Sequence, residues 1–414
     1  ITMNKRLIIL VLMLNYFLFG LLLNSVGVVI LQSINSFGVT KESAALLEGF
    51  KDIPIAVVSF LVASFLPRLG YRVAMMIGLG VVLLACLSMP VLNSFWATKM
   101  LFLAIGSSFA LIKVSVYASI GILAPEKQAH ASLMNAIEGV FMLGVLSGYW
   151  VFSFFIDSDN PESMEWLNTY WWLAGICGFN LVVMAFIRFG DDQVKPAAAN
   201  FGQDFLAMLK LTARPLVYIF VASVFLYVLI EQGIGTWLPT FNNQVLNLPS
   251  AISVPVTSIF ALCLAIGRLG AGVLLRGVHW YVLLSVCVVA MGLLVILTLP
   301  LSYNVEVDPD VNWFNLPLAA YIFPLIGLFM APIYPALSSV VLSSLPLHQQ
   351  SSMAGLIIIF SALGGTTGSM LTGIVFGQFT GQTAFYMALM PMVLILLLLR
   401  GLKRETERAD AQAA

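Results

Sequence analysis

Charge is what this chain has least of. Of its 414 residues, 19 are Lys or Arg and 19 are Asp or Glu, 9% in all, against 60% hydrophobic residues. Its mean hydropathy is +1.00. A soluble chain of this length needs far more charge to cover its surface, so a soluble domain is excluded. The formal net charge is zero, and no basic face argues for nucleic acid as a partner. Cysteine is scarce too. Cys86, Cys177, Cys263 and Cys287 all lie inside apolar runs, which suits small buried hydrophobes rather than a disulfide framework. The three histidines, His130, His279 and His348, have no metal-ligand spacing, so neither a metal nor a cofactor is expected. No long polar segment exists to serve as the output domain of a sensor. No nucleophile stands beside a base, so the chain does not read as an enzyme. The glycine-rich stretch 363–373 lacks the lysine of a phosphate loop, so any pumping must draw on an ion gradient.

What the chain has is twelve long apolar runs, read as spanning helices over 7–32, 43–66, 73–92, 98–123, 131–156, 168–187, 215–240, 252–275, 280–301, 316–342, 351–376 and 383–402. In lipid each segment must satisfy its own backbone hydrogen bonds, which makes such runs helices. The first run is too long for a cleaved signal and reads as a spanning helix. With the amino terminus inside, that side collects Arg68, Arg72, Lys127, Arg188, Lys210, Arg214, Arg276, Arg400 and Lys403 among others. The other side collects only Lys41 and Lys99. Positive charge stays on the cytoplasmic side, so both termini are expected there, in a bacterial inner membrane. The longest polar connection divides the chain six and six. It predicts a bundle over 1–190, a cytoplasmic linker over 191–214 and a second bundle over 215–414. Residues 201–211 can form an amphipathic helix on the membrane surface or a partly ordered tether.

The halves repeat. A shift of about 207 residues lays Asn24-Ser25 over Glu231-Gln232 and Ser43-Ala44 over Ser250-Ala251. A shift of about 221 lays Gly106, Pro125, Gln128 and Gly144 over Gly327, Pro346, Gln349 and Gly365. Two parallel halves are a transporter architecture, with the solute bound near the membrane midplane.

Twelve helices in two halves joined by a long central loop resemble the major facilitator superfamily. Within it, Tyr227-Val-Leu-Ile-Glu231-Gln-Gly-Ile-Gly235-Thr-Trp237-Leu-Pro-Thr-Phe241 resembles helix seven of the fucose–galactose–glucose:proton symporter branch. Ile266-Gly-Arg268-Leu-Gly270 is similar to that branch's helix eight, and Ala331-Pro-Ile-Tyr334-Pro335 to its helix ten. The resemblance implies an all-α membrane fold of two pseudo-symmetric six-helix bundles, alternating access and proton-coupled sugar uptake. The first half departs from the branch. It has no acid near Asn24-Ser25 in helix one or near Lys113 in helix four, and none before Arg68.

An intramembrane charge is costly and usually faces a cavity or a partner, so the charges mark the candidate site. Glu48, Lys51 and Asp52 share one face of helix two, as an outer gate, a coupling site or a structural ion cluster. Pro54 just after them would loosen the backbone ladder. Lys113, halfway through helix four, could hold an anionic group, donate to a hydroxyl, move a proton, or pair with Glu138. Asn135 and Glu138 share a face of helix five. Glu231, followed by Gln232, Gly233 and Gly235, could accept hydroxyls, carry a proton, or stand in a buried ion pair. Arg268 suits an inner gate more than a ligand contact. Tyr16, Tyr117, Trp237, Asn242 and Tyr334 offer ring faces and neutral donors.

The expected solute-binding set is therefore Asn24, Lys113, Asn135, Glu138, Glu231, Gln232, Trp237 and Tyr334. The expected coupling or gating set is Glu48, Lys51, Asp52, Glu231 and Arg268. The expected partners are a small polar solute, protons and membrane lipid, for a monomeric carrier. An organic-anion carrier using Lys113 and Arg268 is one rival. An exporter of drugs or lipids, suggested by abundant Phe and Met, is another.

Overall fold

The computed structural model describes residues 5–63, 66–124, 127–189, 200–345 and 347–413. Among the described residues all regular structure is helical. The first six spans are α1 (Lys5–Asn24) continued by α2 (Val26–Phe37), α3 (Lys41–Ala63), α5 (Tyr71–Leu92), α6 (Phe95–Leu123), α7 (Lys127–Phe155) and α8 (Thr169–Phe186), with a single turn, α4 (Leu66–Leu69), before α5. The linker forms α9 (Phe201–Leu211). The last six are α10 (Pro215–Gln244), α11 (Ser250–Leu274), α12 (Trp280–Thr298), a broken span of α13 (Leu318–Ile322), α14 (Ile326–Met330) and α15 (Ile333–Ser343), then α16 (Leu347–Gln378), and α17 (Gly381–Tyr386) followed by α18 (Leu389–Ala413). Among the described residues, eleven helical runs are long and apolar enough to cross a bilayer. The twelfth, α3, falls short only in apolarity, because Lys41, Glu42, Glu48, Lys51 and Asp52 all lie in it.

The breaks follow local chemistry. Between α1 and α2, the Ser25 hydroxyl takes the Leu22 carbonyl at 2.7 Å, and Asn24 Nδ2 takes the Gly20 carbonyl at 3.0 Å. Side-chain bonds of this kind compete with the helical ladder and bend it. The tenth span breaks where Pro324 and Pro332 lack a backbone N–H. Pro54, by contrast, is carried inside α3 without ending it. Ser94 caps α6 by accepting the Ala97 N–H at 3.2 Å.

The chain divides into two compact units. Unit 1 holds residues 1–39 and 50–201, and unit 2 holds residues 40–49 and 202–414. Residues 40–49, expected in the first bundle, thus belong to the second. Their place there follows from glycines on α16. A Cβ on Gly377 would lie 2.5 Å from Glu42 Oε1, and one on Gly373 would lie 2.7 Å from Ala45 Cβ. Only the missing side chains let the start of α3 come so close.

Within unit 1, α1 packs chiefly on α7, and α5 on α6 and α8. Within unit 2, α10 packs chiefly on α16 and α18, and α11 on α14. The two main crossings are built alike. In unit 1, Gly144 meets the Phe17 carbonyl and Gly148 the side chain and carbonyl of Leu21. In unit 2, Gly364 meets the Phe225 carbonyl and Gly368 the Leu229 carbonyl. Contact by contact, the register is 208 residues on the first helix of each unit and 220 on the fifth. That is one residue away from the sequence alignment on each, so Gly144 matches Gly364 rather than Gly365, and Asn24 matches Gln232 rather than Glu231. The Gly106–Gly327 match stands. Gly106 lies against the Lys51 carbonyl of α3, and Gly327 against the Phe260 carbonyl of α11.

The linker helix α9 coincides with residues 201–211. Met208 and Leu211 are buried, and Met208 Sδ sits over Gly355 of α16. Phe205, Leu206 and Leu209 remain exposed, which gives the helix an uncovered apolar side.

Candidate solute-binding sites in the two units

In unit 1, the polar groups of α6 and α7 gather around α1. Lys113 and Tyr117 are one turn apart on α6, so both side chains leave the same face. Tyr117 donates its hydroxyl to Glu138 Oε1 of α7 at 2.6 Å. Lys113 does not form an ion pair with Glu138 within 4 Å. Its ammonium lies over two rings instead, 5.9 Å from the centre of Phe109 and 5.7 Å from that of Tyr117. Ring faces attract a cation at this range, and more strongly away from water. Tyr16 of α1 completes the cluster, with its ring 6.1 Å from Phe109, 6.4 Å from Tyr117 and 5.8 Å from Phe141. Tyr16 is buried and packed, while Lys113, Tyr117 and Glu138 are partly exposed. The result is one ammonium and one hydrogen-bonded carboxylate on an aromatic bed, able both to donate and to accept.

Asn24 stands at the α1–α2 break, with its amide turned back to its own helix. The side chain of Asn135 lies outside the described residues. At the start of the unit's share of α3, Lys51 is 3.4 Å from Asp52 Oδ1 and donates to the Leu23 carbonyl at 3.5 Å. Lys51 is buried, and its ammonium therefore helps cap the last turn of α1, where unpaired carbonyls favour a cation.

In unit 2, Glu231 and Arg268 meet across α10 and α11, with Oε1 and Nη2 3.8 Å apart. This is a loose pair, and the Arg268 side chain is 41% exposed. Tyr227, one turn before Glu231, is fully buried and stacks on Tyr334 with ring centres 6.0 Å apart. Tyr334 lies in the first turn of α15, just after the Pro332 break. Sequence reasoning singled out Glu231, Arg268 and Tyr334 but not Tyr227. Its spacing of four from Glu231 was the available signal.

A second polar contact in this unit joins α3 to α10. Thr236 Oγ1 lies 2.8 Å from Glu48 Oε2 and 3.2 Å from Gln232 Oε1. Glu48 is fully buried. Thr236 went unremarked in the sequence, since a threonine in a spanning helix usually bonds its own backbone. Glu48 and the Lys51–Asp52 pair, three neighbours on one helix face, fall in different units.

Two predicted residues are packing groups in this structure. Trp237 is fully buried and donates its indole N–H to the Ser369 carbonyl at 2.9 Å. Phe376 lies 5.9 Å away, and a Cβ on Gly373 would meet Trp237 Cζ2 at 2.5 Å. No face of the indole is left open to a ligand. Asn242 is buried as well, and its amide donates to Thr257 Oγ1 at 3.3 Å.

The fold has known counterparts. No curated protein matches the sequence at a significant level. The chain is similar in structure to the nucleoside transporter NupG, with a TM-score of 0.72 at 15% identity over 97% of this chain and 99% of that one. It is also similar to a D-xylose–proton symporter, with a TM-score of 0.68 at 14% identity over 95% and 97% of the two chains. A variant of the E. coli fucose:proton symporter FucP gives 0.60 at 15% identity, over 96% and 99%. At such identities the likeness speaks for the fold alone. The sequence model of the Major Facilitator Superfamily matches residues 12–365. With that match over most of its length and twelve spans in two alike units, the chain belongs to the Major Facilitator Superfamily and is a transporter, not an enzyme.

Proposed function

We propose that this chain moves a small polar solute, a sugar in the first instance, across the bacterial inner membrane by alternating access, coupled to protons. One observation carries the reading. In each unit an acid, a base and packed aromatics lie together inside otherwise apolar spans, as Lys113, Tyr117, Tyr16 and Glu138 in unit 1 and Glu231, Arg268, Tyr227 and Tyr334 in unit 2. Groups this costly to bury persist in lipid when they serve a ligand or an ion path. Mixed signs with ring faces suit hydroxyl-rich solutes, because carboxylates accept, cations donate and rings cover the apolar side of a sugar.

In this reading Lys113, Glu138, Glu231 and Tyr334 bind the solute, with Asn24, Asn135 and Gln232 as further donors and acceptors. Trp237 backs α10 against α16. Glu48, Lys51, Asp52 and Arg268 act in coupling or gating, and Glu231 carries the proton. Solute and proton act through a single carrier chain, with both termini in the cytoplasm. The structural likeness to proton symporters for fucose and xylose supports the class.

An organic-anion carrier is the second reading. It is favoured by the Lys113 ammonium, which holds two rings and no carboxylate within 4 Å. Purified protein in proteoliposomes separates the two. Accumulation of a labelled sugar under an imposed pH gradient, without a sodium requirement, supports the first. Exchange of labelled carboxylates with no sugar uptake supports the second. Thermal-shift screening selects the probes beforehand, since a ligand raises the apparent stability of the fold that binds it.

A further inference from the structure

One end of unit 2 carries a cavity of about 440 Å³, a size typical of small-molecule sites. It lies where α3 begins, α10 and α16 end, and the 302–305 loop passes. The distribution of Lys and Arg puts this end outside the cell. It is polar, whereas the spans below it are apolar. Gln382 is only 8% exposed, yet among the described residues its amide makes no hydrogen bond. Gln244, Asn304 and the Tyr303 hydroxyl also line the cavity without a side-chain hydrogen bond to the described protein. Lys41 completes it, with its ammonium over the ring of Phe376 at 5.3 Å. Phe379, 69% exposed, offers an open ring on the same wall.

The frame around these groups is built. Asn247 and Asn304 both adopt left-handed backbone, at φ 54° and 57°, a conformation asparagine tolerates better than most residues. Asn247 Nδ2 donates to the Val305 carbonyl at 2.6 Å, which ties the 302–305 loop to the end of α10. The Gln382 side chain is largely covered, yet its amide still reaches the cavity, where a ligand's hydroxyls can take the place of water. Three carboxamides and a phenol are each donor and acceptor at once, as the hydroxyls of a polyol are. The Glu42 carboxylate next to Lys41, against Gly377, offsets the ammonium and disfavours a strongly charged ligand. Gln244 is 13 residues beyond Glu231 on α10, about 20 Å along the helix axis, so this is not the membrane-centre cluster.

The geometry points to a second solute site here, which captures a neutral polyhydroxylated solute before it enters the membrane. The inference rests on the proposed sugar-type solute. It is tested with Gln382→Ala, Tyr303→Phe and Asn304→Gly; the last keeps the left-handed backbone accessible while removing the amide. Labelled L-fucose, D-xylose and uridine serve as probes, in uptake by proteoliposomes and in equilibrium dialysis. Thermal melting identifies any variant that fails to fold. Loss of one hydrogen bond should raise KM for entry from the cavity side about fivefold, with kcat and the KM for exit unchanged. Transport with unaltered entry KM in all three folded variants overturns the capture site and leaves the transport reading intact. Binding of a probe that these variants weaken, with no transport in the unmodified protein, supports the site and overturns the transport reading. If no probe binds and none is transported, both fall.

Discussion

Tyr117 and Glu138 share a hydrogen bond of 2.6 Å across α6 and α7, and it is this tyrosine, not Lys113, that the carboxylate holds. Lys113 stacks its ammonium on the same ring instead. Base and acid are thereby kept close without cancelling each other, an arrangement that leaves both able to meet a solute. Tyr117→Phe keeps the ring under Lys113 and removes only the hydroxyl. Hydrogen bonds to charged groups are worth about 1.5–3 kcal/mol, so solute affinity should fall roughly 10- to 100-fold. Binding titrations on the purified variant measure this. An unchanged Kd would remove the Tyr117–Glu138 pair from the solute site.

Lys113→Ala should abolish uptake while expression and melting temperature stay close to those of the unmodified protein. Its ammonium is held by two rings and by no carboxylate within 4 Å, so removing it strands no buried partner charge. Lys113→Met, which keeps the side-chain volume, should be equally inactive if the charge is what matters. Normal uptake kinetics in either variant would take Lys113 out of the mechanism.

Glu231→Gln retains shape and hydrogen-bonding capacity but cannot change charge. It should still bind and exchange solute, yet lose accumulation driven by a pH gradient, because coupling needs an acid protonated on one side and ionised on the other. The comparison is made in proteoliposomes with a proton gradient and, separately, a sodium gradient. Full proton-driven accumulation by the variant would clear Glu231 of carrying the proton.

The Thr236–Glu48 contact predicts a measurable coupling. Thr236→Val removes the hydroxyl at nearly constant volume and takes one donor from a fully buried carboxylate. A stability loss of about 1–3 kcal/mol is expected. A double-mutant cycle with Glu48→Gln isolates the pair term. Additive effects would show that the two residues act independently.

Glycine should matter by position. A Cβ at Gly368 runs into the backbone carbonyl of Leu229, which cannot move aside as a side chain can. Gly368→Ala should therefore lower stability by about 1–3 kcal/mol, as overpacking does. Gly80, also inside a helix, has nothing within 4 Å of its would-be Cβ. Gly80→Ala should be neutral or stabilising by up to about 1 kcal/mol. Equal melting temperatures for the two variants would refute the carbonyl-contact account of the α10–α16 crossing.

Sequence by itself determined the twelve spans, the repeat to within one residue and the few charges that lie inside the spans, while it left residues 201–211 open between a helix and a tether. Lipid makes this possible, since it demands long apolar helices and makes every exception conspicuous. Partner choice was decided only in the tertiary structure. Glu138 took Tyr117 rather than Lys113, Arg268 reached Glu231, Trp237 closed against Ser369 and Phe376, and residues 40–49 joined the second unit. Each outcome depends on how far a helix is rotated about its axis and how closely two axes approach. Glycine contacts with backbone carbonyls set those quantities, and they arise between segments far apart in the chain, from Gly106 against Lys51 to Gly364 against Phe225. Helical periodicity reports which residues share a face of one helix, but not which neighbour that face will meet.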